Sequence, residues 1–322
     1  MSRRRLILGG LLAAVGFAAC HEPTGTASVL FDGLLDKRLP LTLGRPTAVG
    51  VSRGGQVVVA LSDTTFVARF AVTADTIVRF SPVGMDPTDI SFTSSGGTAY
   101  VTFARDPAVY TVDMATGRSS GPVDVGVRNN RILMLPDNSG YYLLGEDSVV
   151  RLVARDSNLR FTSSFVLFGR LRAISRRTQD GRLAVSAGSW IHLFTALLLQ
   201  YHNGDFGFNV EDLAHSLDGS VLFASLPDRN QVLVLDATTL AVTDSIRFPG
   251  DAIRPFALQL SKDGATLLVT SPISGRVAVV DVATRTVRRV LVTGGVPKRI
   301  AFSPDGRRAF ITNEAGWVDV LR

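Results

Sequence analysis

Positively charged side chains recur in five of seven repeats of about forty residues, each close to glycine or proline residues. They are Arg45, Arg128, Arg170, Arg254, Lys298 and Arg299. A guanidinium group presents a planar fork of donors that matches a carboxylate or a phosphate group. If the fold brings these side chains together, they would bind an anion. If acidic neighbours pair with them, the same charges would be an ordinary solvated surface.

The other side chains that could do chemistry lack the spacing that such sites need. The four histidines, His21, His192, His202 and His215, show no metal-ligand spacing, and Cys20 is the only cysteine. The chain has no Gly-x-Ser-x-Gly nucleophile motif, no phosphate-binding loop and no haem-attachment motif. We therefore expect no cofactor.

The charge balance argues against a nucleic-acid partner. The formal net charge is +6, and Arg3, Arg4 and Arg5 at the N-terminus supply three of the positive charges. No basic stripe with interleaved aromatic residues is present. Glutamate and lysine are both scarce, which is typical of a chain rich in strands and poor in helices.

The elements that must position the cations are short strands. Apolar runs repeat seven times after Gly44, and a turn rich in Gly, Asn and Asp follows the first run of each repeat, at residues 52–55, 94–97, 137–140, 179–181, 217–219, 262–264 and 304–306. A second type of turn starts with Asp and ends with Thr at residues 113–116, 236–239 and 281–284. This period predicts an all-β fold, a seven-bladed β-propeller of four-stranded antiparallel blades.

The two ends of the chain predict how the ring closes. The last repeat stops after a third strand at residues 317–322, and residues 38–43 precede Gly44 as a fourth strand would. We expect this N-terminal segment to be the outer strand of the seventh blade, which removes an exposed sheet edge.

The repeat resembles the YVTN type found in propellers of the YncE kind. Residues 300–313 read Ile-Ala-Phe-Ser-Pro-Asp-Gly-Arg-Arg-Ala-Phe-Ile-Thr-Asn, where Phe-Ile-Thr-Asn stands for Tyr-Val-Thr-Asn. Partial copies are found at residues 100–102 and 268–270. The resemblance implies the propeller fold, and it extends to families with different functions, among them surface-layer proteins, quinoprotein dehydrogenase subunits and lactonase-like enzymes.

The resemblance to lactonase-like enzymes raises an alternative function, a metal-assisted hydrolase. Such an enzyme would need acidic side chains that converge on the central channel and hold a divalent cation. The candidates are Asp89, Glu211 and Asp212. They alternate with arginines, whose positive charge would oppose a metal ion, so we expect binding rather than catalysis.

The N-terminus resembles that of a bacterial lipoprotein precursor. Arginines at residues 3–5 and an apolar run at residues 6–19 are followed by Phe17-Ala-Ala-Cys20, which resembles a lipobox. We therefore expect a signal peptide at residues 1–19, lipidation of Cys20 and a tether at residues 20–28, followed by one propeller domain at residues 29–322. An ordinary secretory peptide with an incidental cysteine is the alternative. His21 after the cysteine implies a periplasmic location on the outer membrane.

Together these features predict an exported, membrane-anchored propeller that acts as a binding or interaction scaffold. Its expected partner is another envelope protein or an anionic small molecule or glycan at the channel mouth. A third possibility is a passive assembly scaffold without a small ligand, in which case the blade sides would carry the contacts.

Overall fold

Short antiparallel strands account for nearly all regular structure in the computed structural model, which describes residues 31–77, 79–155, 161–248 and 253–322. Seven four-stranded sheets form the seven blades of a β-propeller, as the repeats predict. The strands of the first four blades are β2 Arg45–Val51, β3 Gln56–Ser62, β4 Phe66–Ala71 and β5 Arg79–Pro82; β6 Pro87–Phe92, β7 Thr98–Phe103, β8 Ala108–Asp113 and β9 Ser119–Asp124; β10 Asn129–Met134, β11 Gly140–Gly145, β12 Val149–Ala154 and β13 Phe161–Val166; and β14 Leu171–Arg176, β15 Leu183–Ala187, β16 Trp190–Phe194 and β17 Gln200–Asp205.

The remaining blades follow the same plan. Their strands are β18 Leu213–His215, β19 Val221–Leu226, β20 Gln231–Asp236 and β21 Val242–Arg247; β22 Leu258–Leu260, β23 Thr266–Ser271, β24 Arg276–Asp281 and β25 Thr286–Val292; and β26 Pro297–Phe302, β27 Ala309–Asn313, β28 Trp317–Leu321 and β1 Leu35–Pro40. One turn of 3-10 helix, Pro227–Arg229, is the helical structure in the described ranges. None of the described residues belongs to a helix long and apolar enough to cross a membrane.

Both types of predicted turn are held by side chains. In the first type, Ser261 accepts a hydrogen bond from the Thr266 amide at 2.9 Å and donates one to Asp263, and Gly264 has a φ of +73°. In the second type, the Asp281 carboxylate accepts hydrogen bonds from the amide and hydroxyl of Thr284. The repeated Asp and Thr are therefore turn residues, which explains why the repeat is visible in the sequence.

The blades pack against each other through apolar side chains. Among the described residues these side chains form seven buried clusters, one between each pair of neighbouring blades. A polar contact near the start of the inner strands also joins each pair. These contacts are Thr47–Pro87, Thr88–Asn129, Asn130–Leu171, Arg172–Glu211, Ser225–Phe256, Thr270–Lys298 and Thr312–Thr47.

The N-terminal strand closes the ring, as predicted. β1 pairs antiparallel with β28, and Leu39, opposite Val318, is fully buried in the cluster between the seventh and first blades. The strand lies three residues earlier than the prediction of residues 38–43. It ends at Pro40 because Pro40 already lies opposite Trp317, the first residue of β28. The predicted signal peptide, Cys20, the tether and the first two residues of the predicted domain lie outside the described residues.

Candidate functional site

The charged side chains of the central channel come from one structurally equivalent position of the inner strands. In β2, β6, β10, β14 and β26 a bulge follows the first residues of the inner strand. The residues that follow the bulge, or take the same place opposite the second strand, are Ala48, Asp89, Arg131, Ala173, Asp212, Ala257 and Arg299. Four of these seven positions carry charges of alternating sign, and these four side chains line one cavity of the channel. The other three positions are alanines, of which Ala48 and Ala173 pack in the clusters between neighbouring blades.

Hydroxyl groups on the second strands help to shape this level of the channel. The amides of Ala173, Asp212, Ala257 and Arg299 donate to a Ser or Thr hydroxyl of the neighbouring strand at 2.8–3.1 Å. The bulge amides are therefore satisfied inside the blade. These hydrogen bonds fix the backbone from which Asp212 and Arg299 project.

Asp212 is the centre of the charged network. Its Oδ1 lies 3.3 Å from Nη2 of Arg131, and its Oδ2 lies 3.0 Å from Nη1 of Arg299. The same Oδ2 accepts a hydrogen bond from the amide of Leu258 at 3.0 Å. One carboxylate therefore joins blades three, five, six and seven across the channel.

Asp89 plays a similar part on the other side of Arg131. Its Oδ2 accepts a hydrogen bond from the amide of Ile132 at 3.0 Å, while its Oδ1 lies 3.8 Å from Nη1 of Arg131. Inner strands are sheet edges whose amides need partners. Asp89 and Asp212 supply partners to the next blade, which gives both carboxylates a structural role.

Burial perturbs the charged groups at this level. Burial raises the pKa of Asp89, against the opposing effect of Arg131. Burial also lowers the pKa of Arg299 to about 10; repulsion from Arg131 acts in the same direction and attraction to Asp212 opposes it. Their charges are therefore stabilised chiefly by one another.

These side chains line a cavity of about 210 Å³, the channel cavity, together with Ser91, Gln259 and apolar residues of the inner strands. Further along the channel, a cavity of about 300 Å³ contains Ser175 and His215. The two cavities share Leu133, Ile174, Leu213, Leu258 and Gln259, so they are neighbouring parts of one channel.

Most of the cations predicted to bind an anion form ion pairs at the rim. Arg45 lies 2.7 Å from Asp63, Arg128 4.0 Å from Glu146, Arg254 3.4 Å from Asp228 and Lys298 3.5 Å from Glu314. In three of these pairs the carboxylate belongs to the loop between the second and third strands of the same blade. These pairs leave little unpaired charge for a ligand.

Two of the predicted cations differ from the rest. Arg170 is exposed, and no described carboxylate forms an ion pair with it. Arg299 alone reaches the channel cavity, where it meets Asp212. Arg131 was not among the predicted residues, although Arg131 and Arg299 occupy the same position in their repeats. An alignment of the seven repeats on this position would have identified it.

The three acids of the metal alternative contact arginines. Glu211 lies 2.5 Å from Arg172, while Asp89 and Asp212 both face Arg131. Within the described ranges no group of three or more His, Cys, Asp or Glu side chains is placed to hold a metal ion.

A serine and a histidine meet in the second channel cavity. Ser175 Oγ lies 2.9 Å from Nδ1 of His215 and accepts a hydrogen bond from the His215 amide at 3.1 Å. Burial, followed by the charge of Arg177, lowers the pKa of His215 to about 4. Such an imidazole is a weak base at neutral pH and would activate the serine poorly. Ser175 instead has the same structural role as Ser91, whose hydroxyl accepts a hydrogen bond from the Met134 amide of the next blade at 2.9 Å.

A second recess lies on the side of the molecule, between the third and fourth blades. This lateral groove has a volume of about 440 Å³ and is lined by Phe165, Val166, Leu167, Phe168, Trp190, His192, Gln200 and Asn203. Phe168 is 92% exposed and Val166 65% exposed. His192 is buried in β16 beside the stacked ring of Trp190. Burial lowers its pKa.

Comparisons with known proteins support the fold alone. No protein-family model matches the chain, and no curated protein matches it. Among solved structures the chain is similar to a chain of hydrazine synthase from Kuenenia stuttgartiensis, with a TM-score of 0.78 and 15% sequence identity over 90% of this chain and 98% of that chain. This likeness shows a shared seven-bladed propeller.

Proposed function

We propose that the protein is an exported, lipid-anchored propeller that binds a partner protein of the cell envelope through its lateral groove. The exposure of Phe168 carries this proposal. A contiguous exposed apolar surface is unfavourable in water and marks an interaction site on a soluble domain. Tryptophan and other aromatic residues are also frequent in the energetic centres of protein interfaces.

The surroundings of the groove indicate the chemistry of the partner. Arg170 follows Phe168 by two residues and has no carboxylate pair among the described residues, in contrast to the paired cations of the rim. An apolar side chain of the partner would fill the groove beside Val166 and Trp190. A neighbouring carboxylate would complement Arg170.

The location is proposed from the sequence. The lipobox-like Phe17-Ala-Ala-Cys20 and the YVTN-like repeats support a lipidated propeller of the YncE kind. A mass measurement of the mature N-terminal peptide would show an acylated Cys20. A Cys20→Ala variant would then leave the membrane fraction; an unmodified Cys20 would reject the anchor and leave the groove proposal untouched.

Site-specific crosslinking tests the groove. A photoreactive phenylalanine analogue at position 168 should crosslink one envelope protein in cells, and the same analogue at Ile273 is the control. Ile273 is 73% exposed and lies in the sixth blade, far along the ring from the groove.

Binding of the purified partner completes the test. Phe168→Ser should weaken binding at least tenfold, whereas Ile273→Ser should leave it unchanged, and neither should alter the melting temperature. Equal crosslinking at both positions, or equal affinity of both variants, would reject the groove as the binding site.

A further inference from the structure

The channel cavity joins two buried cations and two buried carboxylates in one small space. The side chains of Arg131, Arg299, Asp89 and Asp212 are each less than one-fifth exposed. The cavity of about 210 Å³ exceeds the roughly 150 Å³ of an engineered cavity that holds benzene. A small molecule therefore fits between them.

These charged groups keep capacity for a further partner. Arg299 is paired through Nη1, at 3.0 Å from Asp212. Nη1 of Arg131 lies 3.8 Å from Oδ1 of Asp89, which is too long for a hydrogen bond. A donor and an acceptor thus face the same space without a close contact to each other.

Charge balance decides which ligand class the cavity accepts. Two guanidinium groups and two carboxylates already cancel, so a simple anion would add one uncompensated negative charge in a confined site. A divalent cation would add two positive charges beside Arg131 and Arg299. A molecule with one ammonium and one carboxylate group adds no net charge and pairs with both kinds of side chain.

We propose that the channel cavity binds a small zwitterion of the α-amino acid type. Its carboxylate lies against Arg299 and Nη1 of Arg131, where the guanidinium forks offer donors. Its ammonium group lies against Oδ1 of Asp89. Its side chain meets the apolar part of the lining, which includes Ile132 and Leu258. This site is separate from the lateral groove, and neither proposal depends on the other.

Calorimetric titration of the mature wild-type protein tests the ligand class. The panel contains the twenty common amino acids, with propionate and ethylamine as analogues of alanine that lack one charged group. We expect saturable binding of at least one amino acid, and binding of propionate and ethylamine at least tenfold weaker than that of alanine or undetectable. No binding by any amino acid, or propionate binding as tightly as alanine, would overturn the proposal.

Three variants locate the site. Asp89→Asn keeps an oxygen for the Ile132 amide but removes the charge, and should weaken binding of the best amino acid at least tenfold. Arg299→Gln should do the same, and Arg45→Gln at the rim should bind like the wild type. Unchanged binding by a folded Asp89→Asn variant would contradict the assigned position of the ammonium group. If Arg299→Gln does not fold, the wild-type panel and the Asp89→Asn variant still test the ligand class and its place in the cavity.

Discussion

Oδ1 of Asp212 lies 3.3 Å from Nη2 of Arg131, a residue of the third blade, whereas Asp212 itself precedes the inner strand of the fifth. The contact spans the channel, and the two residues are 81 positions apart in the chain. Because Asp212 also bonds Arg299 and the Leu258 amide, its loss would affect four blades at once.

Asp212→Ala should therefore destabilise the protein by about 3–5 kcal/mol, because it leaves two buried guanidinium groups without their shared counter-charge. Asp212→Asn should cost less, since its amide oxygen can still accept from the Leu258 amide. Chemical denaturation of both variants measures the difference. The control is Asp63→Asn, which removes an ion pair in which both side chains are more than half exposed. Asparagine also tolerates the φ of +62° at this position, so the variant should cost at most about 1 kcal/mol. Equal losses at positions 212 and 63 would contradict the network.

The closing strand predicts a second pair of variants. Leu39 is fully buried between the seventh and first blades, whereas Leu43 is 44% exposed. Leu39→Ala should lower the free energy of unfolding by about 2–5 kcal/mol through lost burial and a cavity. Leu43→Ala should change it little. If both variants unfold at the same denaturant concentration as the wild type, the packing of Leu39 does not stabilise the ring.

The serine turns allow a matched comparison of one hydrogen bond in two environments. Ser261 accepts from the Thr266 amide at 2.9 Å and Ser216 from the Val221 amide at the same distance. Ser261 is buried and Ser216 is partly exposed. Ser261→Ala should cost about 1–3 kcal/mol because the Thr266 amide is left without a partner, and Ser216→Ala should cost less because water can replace the hydroxyl. Thermal unfolding of the two variants would rank them, and the reverse order would contradict this explanation.

The fold could be predicted from the sequence because the repeat consists of turn residues whose role is local. Asp281 and Thr284 bond within one turn, and Gly264 has the positive φ that its turn requires. Neither depends on distant residues. The closing strand was predictable for a related reason, since one missing strand at the C-terminus matched one spare strand at the other end.

The site was harder to predict because it depends on which inner-strand position faces the channel. A bulge in most inner strands shifts the register, so the loop cation Arg128 stays at the rim while Arg131 reaches the cavity. No sequence pattern indicated the lateral groove either. Phe168 and Trp190 are ordinary residues of strand-rich segments, and only the packing of blades three and four leaves them exposed together.

The second channel cavity predicts how stability depends on pH. The pKa of His215 in the folded protein is lowered to about 4 from an ordinary value of 6.5. Above pH 6.5 the side chain is neutral in both the folded and unfolded states. Between pH 6.5 and 4 the unfolded state binds the proton more readily, so the free energy of unfolding falls as the pH falls through this window.

His215→Gln should remove most of this loss, which amounts to about 3 kcal/mol over the whole window and about 2 kcal/mol between pH 7 and pH 5. Denaturant unfolding at pH 7.0, 6.0 and 5.0 measures it, and the range above pH 5 limits interference from carboxylates. His192 also has a lowered pKa, so a smaller slope of the same sign should persist in the variant. If the free energy of unfolding of the variant depends on pH as steeply as that of the wild type, the titrating group is not His215. A proton resonance of His215 that titrates near pH 7 would contradict the lowered pKa and show that its imidazole can act as a base toward Ser175.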